Sequence, residues 1–69
     1  MKPEEYEEIF SHLKLPEEIK LWPGVYIRDM NKFIESHLLN LKSASSERQK
    51  EQHIMRLDRL IELLKNEES

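Results

Sequence analysis

Three apolar stripes with the spacing of an α-helix constrain the fold of this sequence more than any other feature. The clearest stripe, at i, i+3, i+4, i+7, i+8 and i+11, consists of Met30, Phe33, Ile34, His37, Leu38 and Leu41. An earlier stripe consists of Tyr6, Ile9, Phe10 and Leu13, and a later one of Ile54, Leu57, Ile61 and Leu64. This period predicts three amphipathic helices that bury their apolar faces against one another.

Prolines and capping residues predict where the first two helices begin and end. Pro3 suits a first helical turn, where its missing N–H costs nothing, and Pro16 pushes the preceding residue out of the helical region. The first helix is therefore predicted at about 3–14. Asp29 is a suitable N-cap for a second helix at about 29–42.

A polar linker at 43–46 is predicted to separate the second helix from the third. Ser46, with Gln49 three residues later, has the spacing of a capping box at the start of a helix. The third helix is therefore predicted at about 47–66. A linker this short favours an antiparallel arrangement of the second and third helices.

The segment 15–28 is the least helical part of the sequence. Pro23 and Gly24 fit the centre of a type II turn, in which glycine takes the positive φ. A two-residue hairpin is disfavoured there because type II turns splay the flanking strands. We therefore expect an irregular Pro-Gly loop with at most a very short β-pair, within an all-α, three-helix single domain over 1–69.

The residue types that carry catalysis and ligand binding are sparse in this chain. It has no cysteine, which excludes disulfides and thiolate metal sites, and its single glycine excludes a glycine-rich phosphate loop. None of the three histidines, His12, His37 and His53, has another at helical ligand spacing, and His37 is expected to pack in the core or at its boundary. We therefore predict no catalytic residues, no cofactor and no metal site, and hence no enzyme.

The location of the protein is predicted from several absences in the sequence. There is no cysteine, no hydrophobic signal region at the N-terminus and no apolar run long enough to cross a bilayer. Together these predict a cytoplasmic protein that does not associate with membranes.

Aromatic and apolar residues outside the helical stripes predict a surface for a protein partner. Trp22 and Tyr26 flank the Pro-Gly turn. The favoured role of Trp22 is to plug one end of the bundle, and the alternative is an aromatic patch with Tyr26 that binds a partner, since both types are common at interface hot spots. The full candidate surface is Trp22, Tyr26, Leu39, Met55, Leu60 and Leu63. The leading hypothesis is a non-enzymatic protein-interaction module. A homodimer is left open, because a chain of 69 residues has a small core and gains stability from a second copy.

The alternative hypothesis is a nucleic-acid-associated regulator that uses the basic residues of the third helix. These candidate contacts are Arg48, Lys50, Arg56 and Arg59. Acidic residues, namely Glu47, Glu51 and Asp58, interleave with them, and the whole chain has a formal charge of −3. A solvated, self-compensating helix face is therefore favoured over a contact with phosphates.

The central part of the sequence resembles a family of short uncharacterised bacterial proteins. The resemblance covers about 15–42 and rests on Leu15-Pro16, the block from Leu21-Trp22-Pro23-Gly24 to Asp29, and the segment from Phe33 to Leu38. It implies a small helical domain and assigns no activity or functional residue. It also suggests that the Trp-Pro-Gly turn and Asp29 form one unit, which delivers the chain into a capped helix.

Overall fold

The computed structural model describes residues 2–68, so Met1 and Ser69 of the predicted domain lie outside the described residues. In chain order the elements are α1 (Pro3–Ser11), β1 (Ile19–Trp22), β2 (Val25–Ile27), α2 (Met30–Ser43) and α3 (Glu47–Glu68). The three predicted helices are present. Helix α2 packs along α3, α1 packs on α2, and β1 packs on α3.

The predicted caps of α2 and α3 are present, with one shift. The Asp29 side chain accepts a hydrogen bond from the Lys32 backbone N–H at 3.0 Å, as an N-cap should. The Ser46 hydroxyl accepts one from the Gln49 backbone N–H at 3.3 Å. The reciprocal bond reaches one residue further back than a capping box requires, because Gln49 Oε1 accepts from the Ser45 backbone N–H at 3.3 Å.

Helix α1 ends at Ser11, three residues before the predicted end at 14. The backbone N–H of His12 bonds to the carbonyl of Ile9 at 3.2 Å, and that of Leu13 bonds to Phe10 at 3.2 Å. Each of these bonds joins an N–H to the carbonyl three residues earlier, as in a 3₁₀ turn, and so tightens the last turn of the helix. They satisfy the carbonyls of Ile9 and Phe10, which would otherwise lack a partner at the helix end. The chain therefore leaves the helix before it reaches Pro16.

The loop between α1 and α2 contains a defined β-hairpin, which corrects the argument against a two-residue hairpin. Trp22 pairs with Val25 across the Pro-Gly turn, and Gly24 has a φ of +81°, as the third position of a type II turn requires. The register shifts between Lys20 and Trp22. Such a bulge increases the local twist of the strands, which compensates for the splaying that a type II turn produces.

The positive φ of Gly24 predicts that replacing this glycine lowers the stability of the protein. A Cβ at this position would meet no atom within 4 Å, so the cost of Gly24→Ala is conformational rather than steric. We expect Gly24→Ala to lower the free energy of unfolding by about 1–2 kcal/mol, because its φ is left-handed. Urea denaturation measures this change. Unchanged stability would mean that the turn does not hold a positive φ.

One apolar core lies between the helices and the hairpin. Its buried side chains are Tyr6, Phe10, Ile19, Leu21, Ile27, Met30, Ile34, Leu38, Leu41, Leu57, Leu60, Ile61 and Leu64. Leu60 was predicted to lie on an interaction surface, and this is wrong because its side chain is 0% exposed. The reason is that α3 packs against both α2 and β1, so its buried face is wider than one stripe.

Candidate functional site

The structure separates the residues of the predicted interaction surface. Tyr26, Leu39 and Met55 are exposed, by 55%, 66% and 55% respectively. Trp22 and Leu63 are partly buried and pack against the core. Trp22 and Met55 line one groove, whereas Leu39 lines another between α1 and α2.

The first of these grooves lies where the hairpin meets the outer side of α3, and we call it the Trp22–Met55 groove. It has a volume of about 520 Å³ and is lined by Trp22, Glu51, Ile54, Met55, Asp58, Arg59 and Glu62. Its apolar part consists of an aromatic side chain from β1 and two aliphatic side chains from α3. The acidic residues were missed as members of a site. Their signal is a spacing of 4, 3 and 4 through Glu51, Met55, Asp58 and Glu62, which places them along one side of a helix.

Two long-range hydrogen bonds fix the walls of the Trp22–Met55 groove. Arg59 Nε donates to the carbonyl of Leu21 at 3.1 Å, which ties α3 to the bulged strand. The hydroxyl of Tyr6 donates to Asp58 Oδ1 at 2.8 Å, which ties α1 to α3. Burial of the Tyr6 side chain raises its pKa well above the ordinary range, and the hydrogen bond and charge of Asp58 raise it further. Tyr6 therefore stays a neutral donor to Asp58.

The second groove, between α1 and α2, is larger, and most of its apolar lining residues belong to the core. It has a volume of about 690 Å³, and its apolar lining includes Phe10, Ile34 and Leu38, which are buried. Lys42 Nζ lies 3.4 Å from Glu7 Oε1 in its lining and links the two helices. Leu39 is the exposed apolar residue of this groove.

The four basic residues of the nucleic-acid hypothesis do not form one free surface. At 100° per residue, Lys50 lies on the opposite side of α3 from Arg48, Arg56 and Arg59. Its Nζ lies 3.5 Å from Glu47 Oε1. Arg59 is bound to Leu21, and its Nη1 lies 3.9 Å from Glu62 Oε2. Arg56 donates to the carbonyl of Gln52 at 3.2 Å, and Arg48 is exposed.

A histidine pair joins α2 to α3, and sequence reasoning missed it. The Nδ1 atoms of His37 and His53 are 2.8 Å apart, so one ring donates a hydrogen bond and the other accepts it. The ring of Phe33 contacts His37 edge-on, with 4.3 Å between the ring centroids. Burial lowers the pKa of His37, and the nearby His53 and Arg56 lower it further. Because the partners lie on different helices, no local spacing reveals them.

The histidine pair predicts loss of stability in mild acid. An unfolded histidine has a pKa of about 6.5. Because the pKa of folded His37 is lower, the unfolded chain binds the proton first as the pH falls. We expect the urea midpoint to be highest above about pH 7 and to fall as the pH drops through 6.5. His37→Gln should reduce the difference between midpoints measured at pH 7.5 and pH 5.5.

His12 supplies the matched control for this measurement. It is exposed just after α1, so His12→Gln should keep the pH dependence of the parent chain. Equal pH dependence in the parent and in His37→Gln would contradict the role given to the half-buried His37 ring.

The part of the chain that the structure describes contains neither a cluster of metal ligands nor a membrane-spanning helix. Within residues 2–68, no three histidine, aspartate or glutamate side chains are grouped to hold a metal ion. The His37–His53 pair alone is short of the three or more protein ligands that zinc sites use. None of the helices in this range has the length and apolarity needed to cross a bilayer.

Comparison with known proteins identifies the family but adds no site residue. A family model described as a domain of unknown function (DUF6965) matches residues 1–66. Neither a curated protein nor a solved structure matches the chain.

Proposed function

Since the chain belongs to the DUF6965 family of unknown function, we propose a function from the geometry of its surface: a protein-interaction module that binds a partner through the Trp22–Met55 groove. The observation that carries this proposal is the juxtaposition of Trp22, Ile54 and Met55 in one groove. Isolated exposed apolar side chains are common on soluble proteins and need no explanation. Aromatic residues and methionine are enriched in protein–protein interfaces, so Trp22 and Met55 in one groove favour a surface that binds a partner.

The residue types in the groove suit the binding of a protein side chain. Tryptophan is enriched at interface hot spots because it offers a large contact area with little loss of conformational entropy. Methionine is flexible and polarizable, so it adapts to the shape of a partner. Met55 is 55% exposed. A partner that covers it gains a favourable free energy of about 25 cal/mol for each Å² of apolar surface removed from water.

The groove is also held in place before any partner arrives. Arg59 fixes the hairpin against α3, and Tyr6 fixes Asp58. A preorganised surface loses little conformational entropy on binding. By contrast, the α1–α2 groove around Leu39 owes most of its apolar lining to residues that are already buried in the core.

Site-specific photo-crosslinking in living cells of the organism that encodes the protein tests this proposal. A photoreactive residue replaces Met55 in one variant and Asn40, an exposed residue of α2, in a matched control. We expect a discrete cross-linked protein species from position 55 that is absent from position 40. No cross-link at position 55, or the same products from both positions, would overturn the proposal.

A further inference from the structure

We infer that the partner presents a basic amphipathic segment to the Trp22–Met55 groove, an inference that rests on the proposed function. The groove combines an apolar floor with an acidic edge. Along α3, Met55 follows Glu51 by four residues and precedes Asp58 by three and Glu62 by seven. Carboxylates therefore stand about one helical turn on either side of the exposed apolar side chain.

The charge of the groove is negative even with its arginine included. The lining contains Glu51, Asp58 and Glu62 together with one arginine, Arg59, so three carboxylates and one guanidinium give it a formal charge of −2. The Nη1 of Arg59 lies 3.9 Å from Glu62 Oε2, so this arginine compensates Glu62 and leaves Glu51 and Asp58 without an opposite charge in the groove lining. The groove therefore offers unneutralised carboxylates to whatever binds there.

The negative charge of the groove favours some classes of partner over others. Two copies of the groove placed face to face would bring like charges together, which is unfavourable in a symmetric interface. Phosphates of a nucleic acid or of an anionic lipid would be repelled for the same reason. A protein segment with an apolar side chain flanked by lysine or arginine can pack its apolar side chain on the floor of the groove and pair its cations with the carboxylates at the edge. Such complementary charge raises the rate of association and makes binding sensitive to salt.

The first test uses Trp22, the single tryptophan of the chain, as a fluorescent reporter in the groove. The probes are two synthetic amphipathic peptides that share one set of leucines and carry either lysines or glutamates on the polar face. We expect the lysine peptide to change the Trp22 emission, to bind at low salt and to weaken as salt is added. Equal binding of both peptides, or no response to either, would overturn the inference.

Charge-swapped variants separate the groove from the net charge of the protein. Glu51→Lys with Glu62→Lys should weaken binding of the lysine peptide by roughly tenfold. The matched control, Glu17→Lys with Glu35→Lys, makes the same change in net charge at exposed positions outside the groove and should bind like the parent. Circular dichroism confirms that both variants are folded. Equal weakening in the two variants would show that binding depends only on net charge.

The cross-linking experiment distinguishes this inference from the function on which it rests. Mass spectrometry of the species cross-linked at position 55 identifies the partner segment that lies in the groove. Lysine or arginine residues within about one turn of the cross-linked residue would support the inference. A neutral or acidic segment, or a second copy of this chain, would overturn it while the proposed interaction function stands. Absence of any cross-linked species would instead remove the proposed function.

Discussion

Replacing Leu60 with alanine is expected to unfold most of the domain at room temperature. The side chain is 0% exposed, and leucine-to-alanine changes at such positions cost about 2–5 kcal/mol through lost burial and the cavity left behind. A core of this size rarely supplies more than about 3–5 kcal/mol in total. The loss of one core leucine therefore removes most or all of the stability. Far-UV circular dichroism followed through a urea titration measures it.

Met55→Ala is the matched control on the same helix. Methionine and alanine are both good helix formers, and Met55 is 55% exposed. We therefore expect the free energy of unfolding of Met55→Ala to differ from that of the parent by no more than about 0.5 kcal/mol. A Leu60→Ala variant that unfolds as late as Met55→Ala would show that Leu60 lies on the surface after all.

The Tyr6→Phe variant is expected to lose about 1–3 kcal/mol, because it removes a hydrogen bond between a buried hydroxyl and a carboxylate. The bond spans 52 residues of sequence and joins α1 to α3 at 2.8 Å. Phenylalanine keeps the ring and its packing, so the loss reports on the hydroxyl alone. The free energy of unfolding in urea measures it.

A double-mutant cycle with Asp58→Ala tests whether the stability lost in Tyr6→Phe comes from the hydrogen bond to the Asp58 carboxylate. In the Asp58→Ala background the Tyr6 hydroxyl is buried without the carboxylate, so Tyr6→Phe should be nearly neutral or stabilising. An equal cost in both backgrounds would place the hydroxyl's partner elsewhere.

Local sequence signals predicted the elements that depend on neighbouring residues. Asp29 caps α2 because its side chain needs only the backbone three residues later. Pro23 and Gly24 form the expected turn for the same reason, since both φ preferences are local. The predicted end of α1 was wrong because Pro16 disfavours a helical Leu15 but does not force the helix to continue as far as Lys14.

The parts of the site that were not predicted depend on contacts between distant elements. Leu60 lies beside the expected stripe of α3, and only the packing of that helix against both α2 and the hairpin buries it. His37 and His53 come together across two helices. The acidic edge of the Trp22–Met55 groove had a readable spacing, but its meaning depends on where Trp22 is placed, which the sequence alone does not determine.

The order of contacts along the chain has a consequence for how the domain folds and opens. The two strands are joined by two residues, and α2 and α3 by three, whereas the Tyr6–Asp58 bond closes a loop of 52 residues. Loop-closure entropy grows with the length of the loop, so we expect α1 to dock after the hairpin and the α2–α3 pair have formed. In native-state hydrogen exchange, the amides of α1 should then exchange through local detachment, while those in the buried middle of α3, from Leu57 to Leu64, should exchange only through global unfolding.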